Sequence, residues 1–291
     1  MLLRKSKIFL EMIKFEHTLF ALPFAFMGAL VGSMVVTSEL PGWAQIGWII
    51  MAMFGARSAA MGLNRVIDKL YDARNPRTAV RAIPAGLISS NAAIIFIVIS
   101  FTLLFWATWN LSLLSMKLLP IAVFLLVFYS YTKRFTWACH IILGMTIGLA
   151  PLGGWVAVTD DISLAAIVFY ISVSLWVAGF DVIYACQDVE FDREEGLHSI
   201  PQRFGVARAL QTARWFHAVT AVGLFTLFYL ANLSWLYLVG IVIATVLLFY
   251  QHKIVTPHNL SRLNTAFFTL NSVLSAVVFL FTLVDLVVLS K

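Results

Sequence analysis

The stretch NRVIDKLYDARNPRT, residues 64–78, brings two aspartates and three arginines into a chain that is otherwise apolar. A second stretch, DVIYACQDVEFDREEG at residues 181–196, shows the same concentration of charge. Of the 291 residues, 61% are hydrophobic and 12% are charged, whereas soluble domains average about 45–50% and about 25%. The composition therefore indicates an integral membrane protein with two charged segments that need an explanation.

Apolar runs long enough to cross a bilayer, about 20 residues each, recur along the whole sequence. The first run is too long for the core of a signal peptide and has no clear cleavage site, so it predicts a retained span. We therefore predict an all-α integral membrane protein with about nine transmembrane helices in a bundle. The predicted spans are 18–38, 43–67, 91–111, 116–132, 137–158, 163–186, 209–230, 234–251 and 263–288.

The basic residues fix the predicted orientation of these spans. If the N-terminus lies in the cytoplasm, 17 of the 20 Lys and Arg residues fall on the cytoplasmic side, as the positive-inside rule requires. Loops 68–90 and 187–208 then both emerge in the cytoplasm, and residues 1–17 read as an interfacial amphipathic helix. The net charge of +6 follows from this topology and predicts no nucleic-acid partner. Residues 1–291 are predicted to form a single transmembrane domain.

The aspartates of the two charged stretches have a regular spacing. At about 100° per residue, Asn64, Asp68 and Asp72 share one face of a helix, and Asp188 and Asp192 repeat the four-residue step. Carboxylates gathered at the edge of the hydrocarbon repel one another and need cations nearby. Because the donors are oxygens only, a hard ion such as Mg²⁺ is the best match.

Basic side chains are more numerous here than a metal site alone needs. Arg and Lys bind the phosphate oxygens that a divalent cation leaves free. Together with the carboxylates they predict a diphosphate site in a cavity at the cytoplasmic face. Taken singly, Arg81, Arg203 and Arg208 are better explained as solvated loop charges. The basic residues near the predicted site are Arg65, Arg74, Arg77, Arg81, Lys133 and Arg134.

On these motifs the chain resembles the UbiA superfamily of intramembrane prenyltransferases. The resemblance rests on Asn64-x-x-x-Asp68-x-x-x-Asp72 after the second span, Asp188-x-x-x-Asp192 after the sixth, and the number of helices. It covers essentially the whole chain and is closest to the 4-hydroxybenzoate polyprenyltransferase branch, which includes relatives in menaquinone synthesis. One departure is Arg65, since the first motif of the family often begins Asn-Asp.

The resemblance implies a function: Mg²⁺-dependent transfer of a polyprenyl group from polyprenyl diphosphate to an aromatic acid such as 4-hydroxybenzoate. The pathway would be ubiquinone or menaquinone biosynthesis in the cell inner membrane, with membrane lipid around the enzyme. The implied metal ligands are Asn64, Asp68, Asp72, Asp188 and Asp192.

The resemblance also implies a diphosphate clamp on the opposite side of the metal. The family's Tyr-x-x-x-Lys motif matches Tyr129 and Lys133, although an aromatic anchor at the membrane interface explains Tyr129 equally well. Arg77 and Arg134 would bind phosphate oxygens together with Lys133. Arg65 either assists them or balances charge.

Two charges inside predicted spans are candidates for binding the acceptor, because an intramembrane charge is functional by default. Arg57 is a candidate partner for the carboxylate of the aromatic acid. Asp181, one heptad before Asp188, could orient the phenol or take its proton. The alternative is a salt bridge between Arg57 and Asp181 inside the bundle.

Other activities fit parts of the same pattern. A naphthoate acceptor, haem farnesylation and prenylation of a lipid headgroup remain open within the superfamily. A secondary transporter is the main alternative from another class, because intramembrane charges and the Pro151–Gly154 break occur in transporters. Transporter sites lie near the bilayer midplane, however, whereas these aspartates gather at one face.

Overall fold

The computed structural model describes Phe9 and residues 18–289, which are helical apart from connecting loops and one isolated bridge between Thr256 and Asn259. Two π-helical turns, Thr265–Leu270 and Asp285–Leu289, flank the last helix. The helices are α1 (Thr18–Thr37), α2 (Trp43–Ile67), α3 (Lys69–Arg74), α4 (Ser90–Trp109), α5 (Leu113–Thr132), α6 (Cys139–Thr159), α7 (Leu164–Ala185), α8 (Val189–Glu194), α9 (Ile200–Phe204), α10 (Val206–Leu230), α11 (Trp235–Ile254) and α12 (Asn271–Val284).

The predicted class, an all-helical multi-pass membrane protein, is confirmed. Among the described residues, eight helical stretches are long and apolar enough to cross a bilayer, and Leu22–Thr37 of α1 forms a shorter apolar helix. The predicted number of nine spans therefore stays a prediction. The predicted interfacial helix 1–17 lies outside the described residues except for Phe9, whose ring centroid is 5.1 Å from that of Phe96.

Local sequence explains where several helices begin. The hydroxyls of Ser89, Ser112 and Ser163 accept backbone N–H bonds in the first turns of α4, α5 and α7. These caps satisfy amide groups that a helix start leaves without partners. Polar caps followed by long apolar runs make the ends of these helices predictable from sequence.

Small residues bring the central helices into close contact, so that α6 packs closely against α1 and α7. A side chain at Gly28 of α1 would overlap the Pro151 carbonyl, and one at Gly144 of α6 would overlap the Ser174 carbonyl of α7. In a bilayer, such close backbone approach supplies much of the packing energy between helices. The Pro151–Gly154 segment stays helical within α6, and Gly154 packs against Ala25 of α1.

Both charged stretches lie at one end of the bundle, called the acidic face below. The loop after α2 contains α3, and the loop after α7 contains α8 and α9. The two loops contact each other directly, because Arg74 of the first pairs with Glu195 of the second at 2.7 Å. Helix packing thus brings together residues that are far apart in sequence.

Candidate active site

A cavity of about 1100 Å³ runs from the acidic face into the interior of the bundle. At its polar end it is lined by both charged loops, and farther in by apolar side chains of α2, α5, α6 and α7. Ile49, near the start of α2, also lines the cavity. At 1.5 Å per residue, Ile49 lies about 28 Å along the helix from Asp68. The cavity is therefore deep enough to hold a long apolar chain.

Asp68 ends α2 at the mouth of this cavity. Asn64, one turn earlier, donates from Nδ2 to Asp68 Oδ2 at 2.7 Å. From the loop after α5, Arg134 reaches Asp68 Oδ1 at 3.3 Å and the Ile67 carbonyl at 2.7 Å. The Arg134 guanidinium also lies 5.3 Å from the centre of the Tyr71 ring. Contacts from two parts of the chain thus hold Asp68 in place.

Asp72 follows on α3 and is nearly buried, with 6% of its surface exposed. Arg81 Nη1 lies 2.5 Å from Asp72 Oδ1, and the Thr78 hydroxyl donates to the Asp72 carbonyl. Asp72 Oδ2 is buried without a hydrogen-bond partner. The interpretation of Arg81 as a solvated loop charge is wrong, because Arg81 lines the cavity and neutralises a carboxylate of the site.

Asp188 lies opposite, at the end of α7. Arg77 of the first loop holds it with two hydrogen bonds, from Nε at 3.1 Å and from Nη2 at 2.8 Å. The guanidinium of Arg77 also lies 5.5 Å from the centre of the Tyr184 ring. Tyr184 lines the cavity one turn before Asp188. Tyr184 was not among the residues predicted for the site, although its four-residue step to Asp188 is visible in the sequence.

Asp192 is placed differently from the other acidic residues. It is fully buried, with Lys133 Nζ 2.6 Å from its Oδ1 and the Ser199 hydroxyl donating to its Oδ2 at 2.9 Å. Asp192 does not line the cavity, whereas Lys133 does. Of the other residues predicted for the site, Arg74 does not line the cavity, whereas the rest, from Arg57 to Asp188, do.

Three predicted residues lie deeper, on α2 and α5. The Tyr129 hydroxyl donates to the Ala60 carbonyl at 3.2 Å, inside the bundle. Arg65 is 7% exposed and donates to Asn64 Oδ1 at 3.3 Å. Arg57 Nε is buried without a hydrogen-bond partner, and no carboxylate among the described residues lies within ion-pair distance of the Arg57 guanidinium.

The alternative salt bridge between Arg57 and Asp181 is absent from the described residues. Instead, His140 Nδ1 lies 2.7 Å from Asp181 Oδ2. Both residues line the cavity. His140 was not among the residues predicted for the site, because its partner on the next helix is 41 residues away in sequence.

The charges at the cavity mouth perturb one another. Burial raises the pKa of the Asp68 carboxyl above its ordinary value; the bond from Arg134 opposes this shift and the nearby Asp72 adds to it. The protein therefore stabilises the charge of Asp68 less well than water does. Burial alone would lower the pKa of Lys133, but its attraction to Asp192 helps to raise that pKa above the ordinary value.

The carboxylate and amide oxygens at the cavity mouth are suitable ligands for a hard divalent cation. All candidate donors are oxygens, the pKa of Asp68 is raised, and Asp72 Oδ2 is a buried acceptor without a partner. Within the described part of the chain, no three His, Cys, Asp or Glu side chains are gathered closely enough to hold one ion. Arg77, Arg81 and Arg134 neutralise the carboxylates instead.

The site has carboxylates and arginines at the mouth of a long apolar cavity in a helical membrane bundle. This arrangement defines a class of membrane protein whose site suits a molecule with a charged head and an apolar tail. Residues 25–273 match the UbiA prenyltransferase family. The chain belongs to this family and is a UbiA-type prenyltransferase. Family membership supports the enzymatic interpretation over a secondary transporter.

Relatives of known function share part of the chain. A 4-hydroxybenzoate octaprenyltransferase of Aliivibrio salmonicida is 26% identical over 70% of this chain and 72% of its own. A polyprenyl transferase of Arthrobotrys oligospora is 31% identical over 54% of this chain and 43% of its own. A protoheme IX farnesyltransferase of Thermus thermophilus is 29% identical over 76% of this chain and 37% of its own.

Solved structures share the fold over nearly the whole chain. The apo structure of a UbiA homologue from Aeropyrum pernix K1 superimposes with a TM-score of 0.84, at 29% identity, covering 93% of this chain and 98% of that one. A UbiA homologue from Archaeoglobus fulgidus, bound to GPP and Mg²⁺, has a TM-score of 0.75 at 17% identity, covering 97% of this chain and all of that one.

Proposed function

We propose that the protein transfers a polyprenyl group from polyprenyl diphosphate to an aromatic acid such as 4-hydroxybenzoate, as a step of quinone biosynthesis. The reaction takes place at the cytoplasmic face of the cell inner membrane. The observation that carries the proposal is the convergence of Asp68, Asp72 and Asp188 with Arg77 and Arg134 at the mouth of one apolar cavity. The 4-hydroxybenzoate octaprenyltransferase relatives support the choice of acceptor.

The proposed ligands of Mg²⁺ are Asn64, Asp68, Asp72, Asp188 and Asp192. The ion would supply positive charge to the leaving diphosphate, and the homologue bound to GPP and Mg²⁺ supports this choice. Asp68 and Asp188 face the cavity already. Asp192 can join them only if Lys133 gives up its contact with Asp192 Oδ1.

The basic residues bind the diphosphate by exchanging partners. In the ligand-free site Arg77 and Asp188 neutralise each other. When a diphosphate and its cation enter, each gains a new partner of opposite charge, so little net charge has to be buried. Arg134 and Lys133 lie on the same side and bind further phosphate oxygens, since Arg forks match phosphate geometry. Arg65 and Tyr129 line the wall of the cavity, further into the bundle than these basic residues.

The chemical step breaks the bond between the allylic carbon and the diphosphate oxygen, and the electron pair leaves with pyrophosphate. Donors aimed at the leaving oxygens stabilise the charge that develops there. The allylic carbon then bonds to the ring carbon ortho to the hydroxyl. Loss of the hydrogen from that ring carbon restores aromaticity, so the products are the prenylated acid, pyrophosphate and one proton.

Two residues inside the bundle orient the acceptor. Arg57 has no carboxylate partner among the described residues, so its buried guanidinium is available for the carboxylate of the aromatic acid. Asp181 accepts the hydrogen bond of the phenol and stabilises the positive charge that spreads to this oxygen during attack. A naphthoate acid offers the same two groups, and it is the alternative acceptor within the quinone pathways.

The direct test supplies purified protein in lipid with Mg²⁺, geranyl diphosphate and a panel of acceptors, followed by mass spectrometry. The panel holds 4-hydroxybenzoate, a hydroxynaphthoate, phenol and haem. We expect ring-prenylated hydroxybenzoate, no product from phenol, and no product when EDTA replaces Mg²⁺. Prenylated haem with no aromatic product would contradict the proposal and favour the activity of the Thermus relative.

A variant separates the acceptor site from the diphosphate site. Arg57→Leu should raise the KM for hydroxybenzoate by about tenfold to a hundredfold, since hydrogen bonds to a charged group contribute about 1.5–3 kcal/mol. The KM for geranyl diphosphate should stay unchanged. Equal rises in both values would show that Arg57 does not bind the acceptor selectively.

A further inference from the structure

His140 and Asp181 form a pair that takes no part in binding the diphosphate. Asp181 lies on α7, seven residues before Asp188, which follows the end of that helix. Asp181 is therefore about 10 Å further into the bundle. His140 lies in the first turn of α6 and faces it. The Asp181 side chain is 24% exposed, whereas the His140 side chain is 3% exposed. The carboxylate therefore meets the cavity, and the imidazole lies behind it.

The hydrogen bond fixes how the pair is arranged. An ionised carboxylate only accepts, so His140 Nδ1 must carry the hydrogen that points at Asp181 Oδ2. Asp181 Oδ1 has no bond to any other described side chain, and it remains free to accept from a ligand. His140 Nε2 is buried without a partner. Asp181 is thus the one carboxylate among the described residues that His140 holds.

Helix packing does not require this pair. Gly144 and Gly148 of α6 already bring α6 against Ser174 of α7. A buried ion pair adds little net stability over well-packed apolar residues. His140 therefore matters for the direction of the Asp181 carboxylate more than for the fold.

Resting on the proposed function, we infer that His140 is a positioning residue for aromatic prenylation: it holds Asp181 Oδ2 by a hydrogen bond and thereby aims Oδ1 at the hydroxyl of the acceptor. During attack on the ring, the phenol gives its proton to Asp181, so the dienone that forms is neutral. The ring hydrogen then leaves as a proton that the pyrophosphate product takes up, and the phenol oxygen recovers a proton from Asp181. His140 gains and loses no proton over the cycle.

The test measures a ratio that a general loss of folded protein cannot change. With geranyl diphosphate, Mg²⁺ and 4-hydroxybenzoate, the assay compares the yield of prenylated ring with the yield of geraniol formed by water. His140→Leu should lower this ratio about 100-fold, the size of a typical proton-transfer contribution. Water attacks the allylic carbon without help from Asp181, so geraniol formation should continue.

Conservative variants separate a hydrogen-bond role from a space-filling role. The amide nitrogen of Asn takes the place of Nδ1 and that of Gln the place of Nε2, so His140→Asn should keep most of the ratio and His140→Gln should lose it. Asp181→Asn should match His140→Leu, and the double variant should lose no more. As a control, His217→Asn changes a buried histidine that bonds to His252 outside the cavity and should leave the ratio unchanged.

Each result decides a different point. No prenylated ring from the unsubstituted protein contradicts the proposed function and this inference together. Product from the unsubstituted protein with an unchanged ratio in His140→Leu overturns this inference alone. If His140→Leu does not fold, a ratio in His140→Gln equal to or above that in His140→Asn overturns it as well.

Discussion

The two acidic motifs have the same spacing in sequence but different surroundings in the fold. Asp68 and Asp188, the first aspartates of the two motifs, line the cavity and pair with arginines from other segments. The second aspartates differ. Asp72 Oδ2 is buried with neither a hydrogen bond nor an ion pair, whereas Asp192 Oδ1 lies in an ion pair with Lys133, without a hydrogen bond, and Asp192 Oδ2 accepts from Ser199. Equal spacing therefore does not give equal roles, because partners from distant segments decide which oxygen atoms stay available.

The largest expected effect is the loss of a cavity-facing aspartate. Asp68→Ala or Asp188→Ala should lower prenyl transfer by roughly 10³-fold, since a metal stabilises a leaving group by several kcal/mol. Product formation under saturating substrate measures the change. Asp161→Ala, an exposed aspartate in the loop between α6 and α7, is the matched control and should keep full activity. Full activity in Asp68→Ala would remove the metal assignment.

Substitution of Arg77 tests whether this arginine leaves Asp188 and binds the diphosphate when the substrate enters the site. Arg77→Met should weaken binding of geranyl diphosphate by about tenfold to a hundredfold, because charge-assisted hydrogen bonds contribute about 1.5–3 kcal/mol. Arg77→Lys should restore little, since an ammonium cannot replace the two-pronged contact. Calorimetric titration with the diphosphate measures both. Wild-type affinity in Arg77→Met would show that Arg77 only neutralises Asp188 in the ligand-free site.

Asp192 tests the contrast between the two motifs most directly. Asp192→Asn leaves Lys133 without its partner, which should cost about 2 kcal/mol of stability; this is less than a fully buried pair because Lys133 is a third exposed. The melting temperature should fall more than in Asp188→Asn. Adding Lys133→Met to Asp192→Asn should restore part of the lost melting temperature. Equal melting temperatures for the two asparagine variants would mean that the motifs are equivalent after all.

The smallest effect belongs to the other salt bridge between the loops. Arg74 is 62% exposed where it meets Glu195, and exposed pairs contribute about 0–1 kcal/mol. Arg74→Met should therefore leave diphosphate affinity within about twofold, although Arg77 lies only three residues later. A loss as large as that of Arg77→Met would place Arg74 in the diphosphate site.

The bundle was largely predictable because hydropathy and caps act locally. The predicted spans end within three residues of the observed helices, and span 263–288 corresponds to α12 with its two π-helical turns. The cluster at the acidic face was also predicted, since alternating spans place 68–90 and 187–208 on one side. The pairing of Arg81 with Asp72 was missed because a charge in a loop that also contains Pro84 and Gly86 is typically solvated.

Hydropathy and the spacing of the aspartates predict a helical membrane protein with two acidic motifs at one face, because a bilayer admits only long apolar helices and charge must leave its interior. Which carboxylate oxygens remain available to a ligand depends on contacts between distant segments. Arg77 and Asp188 are 111 residues apart, Arg134 and Asp68 are 66 apart, and His140 and Asp181 are 41 apart. No local pattern encodes such partners, since they meet only when packed helices bring their ends together.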